Sequence, residues 1–198
     1  METMQAFDDG FATALAPEIV LVIGMFTLMI APNLGDAKFR IPLTQIRIPW
    51  FFGGKRGALE SDPRMPGLFA SVFFVLAFLL AALSYVNGMN VTMIQSEGGH
   101  DLLLVNEFSR IFELIFYGAL ALASIASINR IPATSRNDRS ALGLYNNRRQ
   151  VDFYILLMTT GLGMSIVALA QDLFLLFIGL ELASFSTYVL VSFMKETK

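Results

Sequence analysis

Leu173-Phe174-Leu175-Leu176-Phe177-Ile178-Gly179-Leu180-Glu181-Leu182-Ala183-Ser184-Phe185-Ser186-Thr187-Tyr188-Val189-Leu190-Val191-Ser192-Phe193 holds a single ionisable carboxylate in 21 otherwise uncharged residues. A bilayer core about 30 Å thick is crossed by roughly 20 mostly apolar helical residues, and this stretch reads as such a span. Residues 15–31, 68–86, 108–128 and 153–170 have the same character. Barrel strands would alternate apolar and polar residues over ~10-residue segments, whereas these runs are apolar on every face. The sequence therefore predicts an all-α, polytopic membrane helix bundle with five transmembrane helices, forming a single membrane domain over residues 1–198.

The composition agrees. Of 198 residues, 55% are apolar and 15% charged, with mean hydropathy +0.62; a soluble domain carries about a quarter charged residues. The absence of Cys excludes a disulfide scaffold, an iron–sulfur or cysteine–zinc site and thiol catalysis. A net charge of -2 gives no basis for nucleic acid as a partner.

The bases test the span count independently. No Lys or Arg precedes the first span. The loop 32–67 holds Lys38, Arg40, Arg47, Lys55, Arg56 and Arg64, and the loop 87–107 holds none. The loop 129–152 holds Arg130, Arg136, Arg139, Arg148 and Arg149, the connection Gln171-Asp172 none, and the tail Lys195 and Lys198. This alternation is what the positive-inside rule requires of five spans with the N-terminus outside and the C-terminus cytoplasmic. The bacterial or archaeal plasma membrane is the expected location, with an organelle inner membrane as the alternative.

The leader carries Glu2, Asp8 and Asp9 without a base, the reverse of a secretory signal. Pro17 and Glu18 suit the first turn of a retained helix, where proline needs no donor and a carboxylate meets the positive helix end. In the loop 32–67, prolines at 32, 42, 49, 63 and 66 oppose a continuous helix. Its centre, Ile48-Pro49-Trp50-Phe51-Phe52-Gly53-Gly54-Lys55-Arg56, has the composition of an interface anchor, with a specific partner or lipid contact as the alternative. His100 is the only histidine; a lone imidazole builds no metal site, and no function is assigned to it. No metal site and no redox cofactor are expected in this chain.

A charge in hydrocarbon is costly enough to imply a role. Glu181 is the ninth residue of its span, about 12 Å along the helix and too deep to reach the interface. Ser184 and Tyr188 follow at i+3 and i+7 and share its face. Two readings stay open: an intramembrane proton carrier with Ser184 and Tyr188 as polar support, or a structural glutamate satisfied by hydroxyls. Arg110 and Glu113, three apart near the outer end of the third span, read as an ion pair reaching towards the interface. Asp172 reads as the N-cap of the last span. Thr160, Gly161, Gly163 and Ser165 let the fourth span approach a neighbour, and the short connection makes that neighbour the fifth.

The segment Asp152-Phe153-Tyr154-Ile155-Leu156-Leu157, Gly161-Leu162-Gly163-Met164, Ala170-Gln171-Asp172-Leu173, Gly179-Leu180-Glu181-Leu182 and Tyr188-Val189-Leu190 resembles the N subunit of proton-pumping respiratory complex I. This is subunit 2 of the mitochondrial enzyme, one of the antiporter-like subunits of the membrane arm. Leu15-Ala16-Pro17-Glu18 and Asn106-Glu107-Phe108-Ser109-Arg110 add to the likeness, and the predicted orientation agrees with it.

The resemblance implies a membrane-arm subunit that takes part in proton translocation coupled to electron transfer to quinone. Such a subunit is non-redox and not catalytic alone; quinone and the electron donor (NADH, ferredoxin or a reduced deazaflavin) are handled elsewhere in the oxidoreductase. Family members set a glutamate of the fifth span against a lysine of the seventh, and Glu181 matches that glutamate. The implied partners are other membrane-arm subunits, the lipid bilayer and a second polypeptide carrying the later spans. A truncated or structural module without a proton path is a competing expectation. Antiporter-like subunits of multisubunit sodium/proton antiporters and of membrane-bound hydrogenases are another.

Overall fold

The structure, a computed structural model, describes residues 9–30, 38–40, 47–49, 65–88, 90–95, 101–128 and 141–195. His100 and residues 50–56 of the aromatic and basic run lie outside them. In chain order the elements are α1 (Asp9–Ala14), α2 (Ala16–Ile30), β1 (Lys38–Arg40), β2 (Arg47–Pro49), α3 (Met65–Val86), β3 (Val91–Gln95), β4 (Asp101–Val105), α4 (Glu107–Ser127), α5 (Ala141–Leu169) and α6 (Leu173–Lys195).

Among the described residues, four helices contain stretches long and apolar enough to cross a membrane: Pro66–Val86, Glu107–Ser127, Gln150–Leu169 and Leu173–Ser192. They match the last four expected spans. The first expected span, residues 15–31, is α2, an apolar helix of only 15 residues, about 22 Å long. Pro17 withholds a backbone donor, and the chain turns at Leu15 between α1 and α2.

Two features correct the sequence reading. Helix α5 starts at Ala141, well before residue 153, so its first turns lie in what the hydropathy assigns to a loop. Apolar runs mark where a helix enters hydrocarbon, not where it begins. Ala141-Leu142-Gly143-Leu144-Tyr145-Asn146-Asn147-Arg148-Arg149 contains no proline to stop the helix from extending beyond the apolar run. The bundle is also not purely helical. β1 pairs antiparallel with β2, Phe39 opposite Ile48, and β3 with β4, Met93 opposite Leu103. β4 is tied to the α5–α6 connection by a bridge between Leu103 and Ala170 and by Gln171 N–H donating to the Leu102 carbonyl at 3.0 Å.

The core lies where α2, α3, α4 and α5 meet. Helix α3 contributes Ala70, Phe74, Ala77 and Ala81, one face at i, i+4, i+7 and i+11, against Leu21 and Leu28 of α2. Tyr117, Leu120 and Ala121 of α4 and Val151, Tyr154, Leu157 and Met158 of α5 complete it. Polar contacts also join these helices: Ser71 and Ser124 hydroxyls lie 2.8 Å apart, and Ser127 donates to the Tyr154 hydroxyl at 3.1 Å. In a bilayer, close packing and such hydrogen bonds hold helices together, because lipid is as apolar as leucine.

Helix α6 packs chiefly on α5. The expected antiparallel contact forms, and Gly163 is a point of close approach: a Cβ there would stand 2.6 Å from the Ala183 nitrogen and 2.9 Å from the Gly179 oxygen. Gly179 in turn faces Val167 and Ile166. Gly161, from the same stripe, points instead to Leu120 and Phe74, so it serves the core rather than α6.

Candidate functional site

Two places among the described helices hold ionisable groups that are candidates for function. The first is the end of the bundle beside β3 and β4. Asn106 caps α4: its Oδ1 accepts from Ser109 N–H at 2.8 Å, and Ser109 Oγ accepts from Asn106 N–H at 3.0 Å. This reciprocal box sets the start of the helix, and so directs Arg110, Glu113 and Tyr117, at i, i+3 and i+7, to one inward face. All three are wholly buried.

Arg110 is held at both ends of its guanidinium. Nη1 donates to Glu113 Oε2, and Nη2 donates to the Ala14 carbonyl at the end of α1. Glu18 enters from the first turn of α2, with Oε1 4.0 Å from Arg110 Nη1. That oxygen also accepts from Tyr117 Oη at 3.1 Å and lies 2.5 Å from Ser165 Oγ of α5. Ser165 is itself wholly buried, with Oγ 3.1 Å from Glu113 Oε1. Three helices thus bring two carboxyls, one guanidinium, a phenol and a serine together in the buried interior, with only Glu18 keeping slight exposure. Nearby, Ala14, Val105 and Leu169, with Leu15, Val91 and Leu103, form a small apolar cluster.

This corrects the sequence reading of Arg110 and Glu113. The expected pair exists, but it turns into the protein and recruits Glu18 and Ser165, rather than reaching towards the interface. A usable signal was present: Glu18, Arg110, Glu113 and Ser165 all fall within two turns or so of span ends expected on the same side of the membrane. What hydropathy could not supply was the rotation of each helix.

The second place is α6. Asp172 caps it as expected, Oδ2 accepting from Phe174 N–H at 3.0 Å. Gly179 and Ser186 are buried towards the bundle. Glu181 lies on the opposite, exposed side. Phe174, Phe177, Phe185 and Tyr188 flank it at i−7, i−4, i+4 and i+7, and all are exposed, Tyr188 at 73%. Glu181 is therefore the one carboxylate in an aromatic stripe directed away from this chain's other helices. Ser184 is half-buried beside it. Among the described residues, no hydrogen bond joins Glu181 to Ser184 or Tyr188, and the structure does not bring Glu181 to the Arg110 cluster.

A bundle with four helices of membrane-crossing length and apolarity is an integral membrane protein. Its similarities narrow the class further. The chain is 30% identical over 123 residues to NADH-quinone oxidoreductase subunit N of Brevibacillus brevis, covering 62% of this chain and 22% of that protein. It is 38% identical over 96 residues to F(420)H(2) dehydrogenase subunit N of Methanosarcina mazei, covering 48% and 17%. With NADH-quinone oxidoreductase subunit N 2 of Chloroherpeton thalassium it shares 28% identity over 185 residues, 93% of this chain and 28% of the other. These similarities support the N-subunit family. The aligned region spans 17% to 28% of the length of these relatives. No protein-family model matches the chain, and no solved structure does.

Proposed function

We propose that this chain is a membrane-arm subunit of a proton-translocating quinone oxidoreductase, inserted with its N-terminus outside. Glu181 takes up and releases a proton as a cation on a neighbouring segment approaches and withdraws. One observation carries this reading: in a chain similar to N subunits, a carboxylate stands at mid-length on the outward apolar stripe of α6. Hydrocarbon does not tolerate a bare carboxylate. Covered by another subunit or a later span, the same group is held neutral by an apolar partner and ionised by a cationic one. Ser184 and Tyr188, on or beside that stripe, act as its polar support in this proposal.

Electron carriers, donor and quinone belong to other subunits in this proposal. The relatives differ in the donor they are named for, NADH or F(420)H(2), which fits a chain whose task is protonic. The test is Glu181→Gln in the assembled complex, with quinone reduction and acidification followed together in inverted vesicles. Pumping per electron should fall at least several-fold while assembly persists; normal pumping would overturn the proposal.

A further inference from the structure

The cluster of Glu18, Glu113 and Ser165 poses a problem of hydrogen-bond arithmetic. A serine hydroxyl has one proton to donate. Yet Ser165 Oγ is 2.5 Å from Glu18 Oε1 and 3.1 Å from Glu113 Oε1. If both carboxyls were ionised, one of these contacts would set an oxygen lone pair against a carboxylate oxygen, with nothing between them. Both contacts become hydrogen bonds when one carboxyl carries a proton, so that Ser165 accepts from that carboxyl and donates to the other.

Charge leads to the same count. Among the described residues, Arg110 is the only cation in the cluster, and it is wholly buried. Two ionised carboxylates would leave one negative charge unbalanced in a medium that solvates charge poorly. Glu18 Oε2 is buried without a hydrogen-bond partner among the described residues, so an ionised Glu18 would hold part of its charge on an oxygen without a donor. A single shared proton removes the unbalanced charge, and while it rests on Glu18 it also leaves no charge on the unpartnered oxygen. Arg110 then balances the remaining carboxylate.

We infer that Glu18 and Glu113 share one proton through the Ser165 hydroxyl, forming a second intramembrane proton site on the side of the bundle away from Glu181. The exchange balances. The proton on Glu113 Oε1 passes to Ser165 Oγ as the hydroxyl's own proton passes to Glu18 Oε1. One carboxyl O–H bond breaks, one forms, the serine ends with one proton, and the net charge of the cluster is unchanged. Tyr117, donating to Glu18 Oε1 at 3.1 Å, stabilises the state in which Glu18 is the ionised partner. Arg110, donating to Glu113 Oε2, stabilises the other.

The site does not depend on the proton-pumping proposal, and its test needs no pumping. The full chain, with any subunits that accompany it on purification, is placed in lipid nanodiscs and studied by infrared spectroscopy near neutral pH. Variants are compared with the parent in the region of the protonated carboxyl C=O stretch. That component should be lost in Glu113→Gln and in Glu18→Gln, and retained in Glu181→Gln. In Ser165→Ala it should shift in frequency, because the acceptor is gone, and Ser165→Thr should restore it. An unchanged component in both glutamine variants at positions 18 and 113 would overturn the inference. Should those variants fail to accumulate, Ser165→Ala decides alone: an unmoved band refutes the shared proton.

Discussion

Tyr117 of α4 donates its phenol to Glu18 of α2 at 3.1 Å, across 99 positions of sequence. The tyrosine ring belongs to the apolar core while its hydroxyl belongs to the ionic cluster, so the two meet at this side chain. Tyr117→Phe keeps the ring and removes only the donor. The expected cost is about 1 kcal/mol, read as a lower unfolding midpoint in lipid bicelles, with helix content unchanged.

Arg110 joins α1 and α4 through the Ala14 carbonyl and donates to Glu113. Arg110→Met is close in volume but strands a buried acid, and loss of one partner of such a pair costs roughly 3–5 kcal/mol. The variant should be strongly depleted from the membrane fraction. Arg110→Lys keeps the charge but lacks the planar fork that reaches two acceptors, so it should fall between Met and the parent. Equal accumulation of all three would show that the cluster does not hold the bundle.

At Gly163, any side chain meets backbone rather than a flexible neighbour. Gly163→Val should force α5 and α6 apart at a cost of about 1–3 kcal/mol. A cysteine pair placed on the two helices should crosslink more slowly in that variant. Gly161→Ala would press on Leu120 and Phe74 instead, lowering stability without changing the α5–α6 crosslink.

Glu181 faces outward from the chain, so its stability effect and its functional effect should have opposite signs. Replacing a mid-span carboxylate exposed to lipid by Leu removes a penalty of order 3 kcal/mol. Glu181→Leu should therefore raise the stability of the chain alone in a bilayer, while abolishing pumping in the complete complex. A fall in stability of the isolated chain would mean that Glu181 is satisfied within it.

The sequence by itself determined which segments can lie in hydrocarbon. That property is local: a chain in lipid must satisfy its backbone within each segment, so length and hydropathy decide it. The cap at Asp172 and the close approach of α5 and α6 through Gly163 were legible for the same reason, since they involve neighbours in sequence or across a short turn. Glu181 was legible as a mid-span charge. Only the tertiary structure decided that it points away from the other helices, because that depends on which face of α6 rests on α5. The Arg110 cluster was the least legible. Glu18 passes for a first-turn carboxylate, Arg110 and Glu113 for an interfacial pair, and Ser165 for a small packing residue. Each has an ordinary local explanation, and Glu18 and Ser165 lie 147 positions apart. They become one site only when α2, α4 and α5 pack with these faces inward. That rotation is set by the fit of Leu21, Tyr117, Leu120 and Tyr154 in the core, and no single helix encodes it.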